Sequence, residues 1–158
     1  MIGRAKRPAD REAQIREADR LRDARQHGAA AKAYAAVLAM APQRTDIRVQ
    51  YANMLKDSGR PAEAEAAYRH ALGEAPDDSD IHLQLGHALK LQGKRTEAVT
   101  EYRRAAGLRP DNTEALKELF FAGSFDDQHQ LFERRLASGG VEAIIALGEE
   151  IARLQDAL

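Results

Sequence analysis

The sequence predicts an all-α protein, a right-handed superhelical solenoid of three helical hairpins that ends in a C-terminal helical cap. The composition has 31 Ala and 16 Leu against 4 Val and 4 Thr among 158 residues, which favours helices over strands. Four of the five prolines lie 34 residues apart, and a fixed period of this length is typical of stacked helical repeats. The period fades after residue 112, which indicates a different role for the end of the chain.

Equivalent positions of successive units share residue types, and we call each such set, spaced by 34 residues, a column. The clearest columns are Pro8/Pro42/Pro76/Pro110, Leu21/Leu55/Leu89, Ala18/Ala52/Gly86, Ala30/Ala64/Ala98 and Tyr34/Tyr68/Tyr102. They divide the chain into a flexible N-terminal segment (1–10), three units (11–44, 45–78 and 79–112), and a degenerate fourth unit with capping helices (113–158).

Each unit is predicted to form two helices. In the second unit Thr45 carries a side-chain oxygen that suits the N-cap of the first helix, as Ser79 and Thr113 do in later units. Gly59 and Gly93 suit the end of that helix, where a left-handed residue is needed. The second helix carries the tyrosine column on an apolar stripe, and the column proline stops it. Because a single hairpin cannot bury its own apolar face, the units must stack.

Two units can be compared directly with known repeats. The second reads VQYANMLKDSGRPAEAEAAYRHALGEAPDD and the third reads LQLGHALKLQGKRTEAVTEYRRAAGLRPDN. These residues resemble the tetratricopeptide repeat family almost column for column, over residues 11–112. The family's large aromatic residue near the start of each unit is replaced by Gln14, Arg48 and His82, which predicts looser packing between units. The resemblance implies a non-catalytic scaffold for protein–protein interaction, with a peptide or protein segment bound in a concave groove formed by the first helices.

By that resemblance, the polar face of each first helix lines the groove. The expected groove residues are Arg16, Asp19, Arg22, Gln50, Asn53, Lys56, Asp57, Gln84, His87, Lys90 and Leu91. Gln and Lys each recur after 34 residues in this set, although helix packing by itself demands neither residue type. The recurrence favours a binding role, and ordinary solvated helix surface is the alternative.

One kind of ligand can be tested against the sequence. Family members that bind chaperone C-termini hold the terminal carboxylate with Lys, Asn and Arg side chains of the groove. Asn53 occupies one such position, but Asp80 and Gln84 stand where the third unit should supply cations. Because two positive charges are missing, we expect no binding of chaperone tails.

The C-terminal part departs from the repeat and allows two interpretations. All four Phe residues lie within 120–132, and their simplest role is to fill a cap over the last unit. In the alternative, Phe121 and Phe125 form an exposed hydrophobic contact surface. An apolar stripe runs from Ile144 to Leu158 and is predicted to dock on the array, where it would cap or fill the groove, or to pair with a second copy in a homodimer.

The sequence carries no recognisable catalytic or metal-binding motif, so we expect no enzyme activity, no metal and no cofactor. The absence of Cys removes disulfides, thiolate ligands and Cys nucleophiles, and the five His lack HExxH or similar spacing. A net charge of −1 argues against nucleic acid as a partner. No apolar run approaches the roughly 18 residues of a membrane span, and we expect a cytoplasmic protein.

A second interpretation makes the chain the N-terminal module of a larger bacterial enzyme such as a glycosyltransferase. The stretches GHALKLQGK and LASGGVEAI are similar to tetratricopeptide regions that precede glycosyltransferase domains in some bacterial proteins. The repeats would then position an acceptor protein or drive oligomerisation, while the chemistry takes place in a following domain.

Overall fold

The computed structural model describes residues 8–122 and scattered positions between 129 and 153. Residues 8–122 form seven α-helices and no strand: α1 (Pro8–Asp23), α2 (His27–Met40), α3 (Thr45–Asp57), α4 (Pro61–Glu74), α5 (Ser79–Leu91), α6 (Arg95–Leu108) and α7 (Thr113–Ala122). The predicted all-α repeat solenoid is thereby confirmed. The first helix begins at Pro8, earlier than the predicted start of the first unit at Arg11.

The helices form three hairpins, α1–α2, α3–α4 and α5–α6, and each helix packs mainly on its neighbours in the chain. The tyrosine column supplies the largest fully buried side chains. Leu55 and Leu89 lie beside it without exposure to solvent, as do the small residues Ala52 and Ala64. The core is therefore one continuous apolar layer that runs through successive hairpins, as expected when no single hairpin can bury its own face.

The helices end and begin near the positions that the sequence marks. Thr45, Ser79 and Thr113 are the first helical residues, not the N-caps, so their predicted capping role is wrong. The residue before each of them is the cap. Asp78 accepts hydrogen bonds from two backbone N–H groups in the first turn of α5, at 2.9 and 3.1 Å, and Asn112 accepts one from the first turn of α7 at 3.1 Å. A carboxylate at this place also stabilises the positive end of the helix dipole.

The turn inside each hairpin requires a left-handed residue. Gly59 and Gly93 have φ angles of +79° and +74°, which confirms the role predicted for them. In the first hairpin Arg25 takes the same conformation with φ of +55°, although a side chain makes it less favourable. The displaced Gly28 lies inside α2 and does not serve the turn.

Replacing Gly59 by Ala isolates the free energy of this conformation, because an added Cβ would meet no atom within 4 Å. We expect Gly59→Ala to lower the free energy of unfolding by about 1 kcal/mol, measured by urea denaturation followed by circular dichroism. Gly73→Ala is the matched control, because Gly73 is helical and its Cβ would also meet nothing within 4 Å. The control should be neutral or stabilising, and equal losses in both variants would contradict the assignment.

The replaced aromatic positions carry polar side chains that bind the preceding turn. His82 is buried, with Nδ1 2.7 Å from a Glu101 carboxylate oxygen and Nε2 2.9 Å from the carbonyl oxygen of Pro76. The guanidinium of Arg48 donates to the carbonyl of Pro42 in the same way. The column proline thus keeps a hydrogen-bonded carbonyl in both units. Hydrogen bonds replace aromatic packing at this point of the repeat.

A carboxylate on the outer helices joins the second hairpin to the third. Glu65 accepts hydrogen bonds from Lys94 Nζ at 2.8 Å, Gln92 Nε2 at 2.9 Å and Arg69 Nε at 3.0 Å, and its side chain is only 14% exposed. Burial raises the pKa of Glu65, but the hydrogen bonds from these three donors outweigh it and lower the pKa to about 2. The carboxylate is therefore held in its charged form by the fold.

The lowered pKa of Glu65 makes part of the stability pH-dependent. Its contribution is complete above the ordinary carboxyl pKa of 4.5 and is lost as the pH falls from there toward 2. At pH 7 we expect Glu65→Gln to lower the free energy of unfolding by about 2 kcal/mol, with the difference from wild type shrinking toward pH 2.5. Urea titrations at several pH values measure this.

Glu74→Gln on the same helix is the control, because Glu74 is exposed at the end of α4. It should differ little from wild type at every pH. A Glu65→Gln deficit that is the same at pH 7 and pH 2.5 would contradict the charge-based explanation.

Candidate functional site

An open groove of about 740 Å³ runs along the first helices of the three hairpins, α1, α3 and α5, and reaches α7. Six of the residues predicted from the sequence line it: Arg22, Gln50, Asn53, Lys56, Asp57 and Gln84. The other predicted residues lie elsewhere on the same helices. Arg16 is exposed on α1, Asp19 and His87 contact buried tyrosines, Lys90 pairs with a carboxylate of α7, and Leu91 is 64% exposed.

The groove also contains residues outside the predicted set. They are Asp23, Arg25, His27, Val49, Met54, Asp80, Leu83 and Glu114. Two of these, Asp80 and Glu114, belong to an acidic column with Glu12 and Asp46, one residue in each unit. This column was a visible signal, because four carboxylates at a 34-residue spacing stand one turn from the predicted groove residues.

A ladder of hydrogen bonds joins the first helices across the groove floor. In each rung a basic residue of one unit donates to a polar residue of the next unit, 28 residues later in the chain. The rungs are Arg22–Gln50 (3.5 Å), Lys56–Gln84 (2.7 Å) and Lys90–Glu118 (2.7 Å). The recurrence of Gln and Lys therefore has a packing reason that the sequence analysis did not recognise. These side chains connect neighbouring units, whatever else they bind.

A second set of contacts links the groove to the core. Each column tyrosine pairs through its hydroxyl with a side chain of the first helix in its own hairpin. The pairs are Tyr34–Asp19 (2.6 Å), Tyr68–Asn53 (2.5 Å) and Tyr102–His87 (3.2 Å). Burial raises the pKa of all three tyrosines, so they are neutral hydroxyls at ordinary pH. Their hydroxyls still need hydrogen-bond partners, which explains a polar residue at this column.

The two sets of contacts orient the amides of the groove. Lys56 and Arg22 can only donate, so the side-chain oxygens of Gln84 and Gln50 face them. The hydroxyl of Tyr68 donates to the oxygen of Asn53. In all three amides the oxygen is engaged within the protein. The NH₂ groups of Gln50, Asn53 and Gln84 are thus free to donate along the groove.

The charge of the groove changes along its length. Arg22 and Arg25 lie at its first unit, whereas Asp80 and Glu114 lie at its far end. Glu114 is 3.2 Å from His87 Nε2. Burial lowers the pKa of His87, and Glu118 and Glu114 oppose that effect, so His87 is mainly neutral at pH 7. The groove is basic where it begins and acidic where it ends.

The model of the tetratricopeptide repeat family matches residues 21–84 and again residues 55–119. The chain belongs to the tetratricopeptide repeat family. The two overlapping matches cover α2 to α7 and part of α1. In a search of curated proteins, nothing matches this tetratricopeptide repeat chain.

Solved structures share the tetratricopeptide repeat fold with the chain at low identity. MamA 41-end from Desulfovibrio magneticus RS-1 is 18% identical with a TM-score of 0.72, over 94% of this chain and 79% of that one. The first TPR of Spaghetti (RPAP3) bound to HSP90 peptide SRMEEVD is 19% identical with a TM-score of 0.68, over 76% and 95%. A Thermobaculum terrenum O-GlcNAc transferase mutant is 24% identical with a TM-score of 0.65, over 77% of this chain but 23% of that one.

Other predicted features of the tetratricopeptide repeat chain fall partly outside the described residues. Phe121 is 41% exposed on α7, whereas Phe125 and the apolar stripe from Ile144 to Leu158 lie outside the described positions. Within the part of the chain that the structure describes, no cluster of His, Asp and Glu is arranged to hold a metal ion. No helix in that part is long and apolar enough to cross a bilayer.

The ladder of the tetratricopeptide repeats can be tested by a double-mutant cycle on Lys56 and Gln84. Lys56→Met and Gln84→Leu each remove one partner of the 2.7 Å hydrogen bond. We expect a coupling free energy of about 1 kcal/mol from urea unfolding of the two single variants and the double variant. Lys56→Met combined with Gln43→Leu is the control pair, because Gln43 is exposed in the turn before α3. Additive effects in the first cycle would show that this rung does not stabilise the array.

Proposed function

We propose that the chain is a non-catalytic scaffold that binds an extended segment of another protein in the groove. The observation that carries this proposal is the set of oriented amide donors on Gln50, Asn53 and Gln84, whose oxygens are already engaged. Backbone carbonyls of an extended peptide are acceptors and recur along its length, so they suit such donors. Because a carbonyl belongs to every residue, the donors hold the segment whatever its side chains are.

Two solved structures of the same fold support a peptide ligand. One is the first TPR of Spaghetti (RPAP3) bound to HSP90 peptide SRMEEVD, and the other is the second TPR domain of human RPAP3 in complex with HSP70 peptide SGPTIEEVD. Both ligands are short and end in acidic residues. Asp80 and Glu114 line the far end of the groove here and would repel such a carboxylate-rich end. We therefore propose a peptide ligand of different charge pattern, acidic only toward Arg22 and Arg25.

The groove proposal is tested with Gln50→Glu and Gln84→Glu in one variant. Each change keeps the oxygen that accepts from Arg22 or Lys56, so the ladder stays intact, and it removes the NH₂ donor. A random-peptide phage library selected on the wild-type chain should yield peptides that bind the variant at least about tenfold more weakly, the equivalent of 1.4 kcal/mol. Fluorescence anisotropy of labelled peptides measures the affinities.

Gln43→Glu is the matched control, because it makes the same chemical change at an exposed turn that does not line the groove. It should leave every peptide affinity unchanged. Selected peptides that bind the double variant as tightly as wild type would overturn the assignment of the groove. Failure of the library to give any specific binder would overturn the proposal of a peptide-binding scaffold.

We also propose, as a second function, that these repeats belong to a larger bacterial enzyme and position its acceptor protein. The supporting observation is the 24% identity to the Thermobaculum terrenum O-GlcNAc transferase, of which the matched region is 23%. The gene sequence beyond Leu158 tests it. A following catalytic domain would support this function, and an immediate stop codon in the native gene would remove it. We further propose a cytoplasmic location, in keeping with a chain that lacks cysteine.

A further inference from the structure

A second cavity of about 400 Å³ lies between the α5–α6 turn, the start of α6 and the end of α7. Its walls are mostly apolar: Gly93, Ala98, Tyr102, Phe121 and Ala122. The ring of Phe121 is held in an edge-to-face contact with Phe120, with the ring centroids 5.5 Å apart. A cavity of this size is in the range of small-ligand sites, and its walls provide few hydrogen-bonding groups.

This apolar cavity continues the groove. Lys90 and Glu118 stand at its edge and form the third rung of the ladder whose first two rungs lie on the groove floor. The ion pair neutralises both side chains, with Nζ 2.7 Å from Oε2, so the edge attracts neither sign of charge strongly. A segment that follows the ladder along the groove therefore reaches the cavity at the third unit.

The exposed surface beside the cavity changes in the same direction. Asp23 and Asp57 occupy one column of the first two units, and the third unit has Leu91 there. Leu91 is 64% exposed and Phe121 is 41% exposed, two large apolar side chains in water at the same end of the array. Large exposed apolar groups that cluster beside a cavity are typical of a binding surface.

We propose that the cavity binds one large apolar side chain, Phe or Leu, of the segment held in the groove. This inference rests on the proposed function and adds the chemistry of the ligand: a polar stretch over the first two units and one apolar anchor at the third. Burial of the anchor removes apolar area of both partners from water, and Phe121 and Tyr102 add aromatic contacts. Anchors of this kind in pockets carry most of the binding free energy of an interface.

The test uses the full chain and N-acetylphenylalaninamide as a probe of the anchor alone. In ¹H–¹⁵N NMR spectra we expect saturable shifts of the Gly93 and Ala98 amides, with a Kd of roughly 1–10 mM. N-acetylglycinamide should produce no saturable shift. Ala122→Leu fills the cavity from α7 and should weaken the probe at least about fivefold. Ala66→Leu is the control, because it adds the same side chain to an exposed position of α4.

Two results would overturn the anchor site: the absence of shifts at Gly93 and Ala98 in the full chain, or equal probe affinity in wild type and Ala122→Leu. The peptides selected on the chain provide an independent check. Sequencing should show a Phe or Leu at one fixed position, enriched on wild type and lost on Ala122→Leu. Peptides that depend on Gln50 and Gln84 but lack this enrichment would refute the anchor while leaving the groove function in place.

Discussion

Each hairpin depends on one buried tyrosine that lies against a very small residue. The clearest case is Tyr102, whose Cδ1 would be 2.6 Å from a Cβ added to Gly86, so only glycine permits this approach of α5 to α6. The ring is completely buried, but its hydroxyl must still find a partner. In every hairpin that partner is a polar side chain of the first helix, such as Asn53 for Tyr68. A constraint of the core thus decides which residue stands on the edge of the groove.

The groove inherits its order from this constraint and from the ladder. Asn53 is fixed by Tyr68 below it, and Gln84 is fixed by Lys56 of the preceding unit. The rotamers of these amides are set before any ligand arrives, which reduces the conformational entropy lost on binding. Polar side chains that stabilise the array and polar side chains that meet a ligand are the same residues here. Structural and binding roles are carried by different atoms of one amide.

Sequence reasoning succeeded where a feature repeats within the 34-residue period and depends on one residue. The buried tyrosine column and the left-handed Gly59 follow from residue type and spacing. It failed where two candidates compete or where two units must be placed in space. Asp78 displaces Ser79 as the N-cap because a carboxylate stands one residue earlier. The rungs of the ladder join residues 28 apart, a distance that no column displays and that emerges only from the stacking of hairpins.

The direction of the ladder has an evolutionary meaning. Every rung runs from a cation near the end of one first helix to an acceptor near the start of the next, so each unit carries a donor for its successor and an acceptor for its predecessor. A duplicated copy of 45–78 inserted after Asp78 would present its own glutamine to Lys56, and its own lysine would meet Gln84. The array can therefore grow by whole units without new compatibility having to arise at the junction, in the manner of a polymer whose monomers have unlike ends.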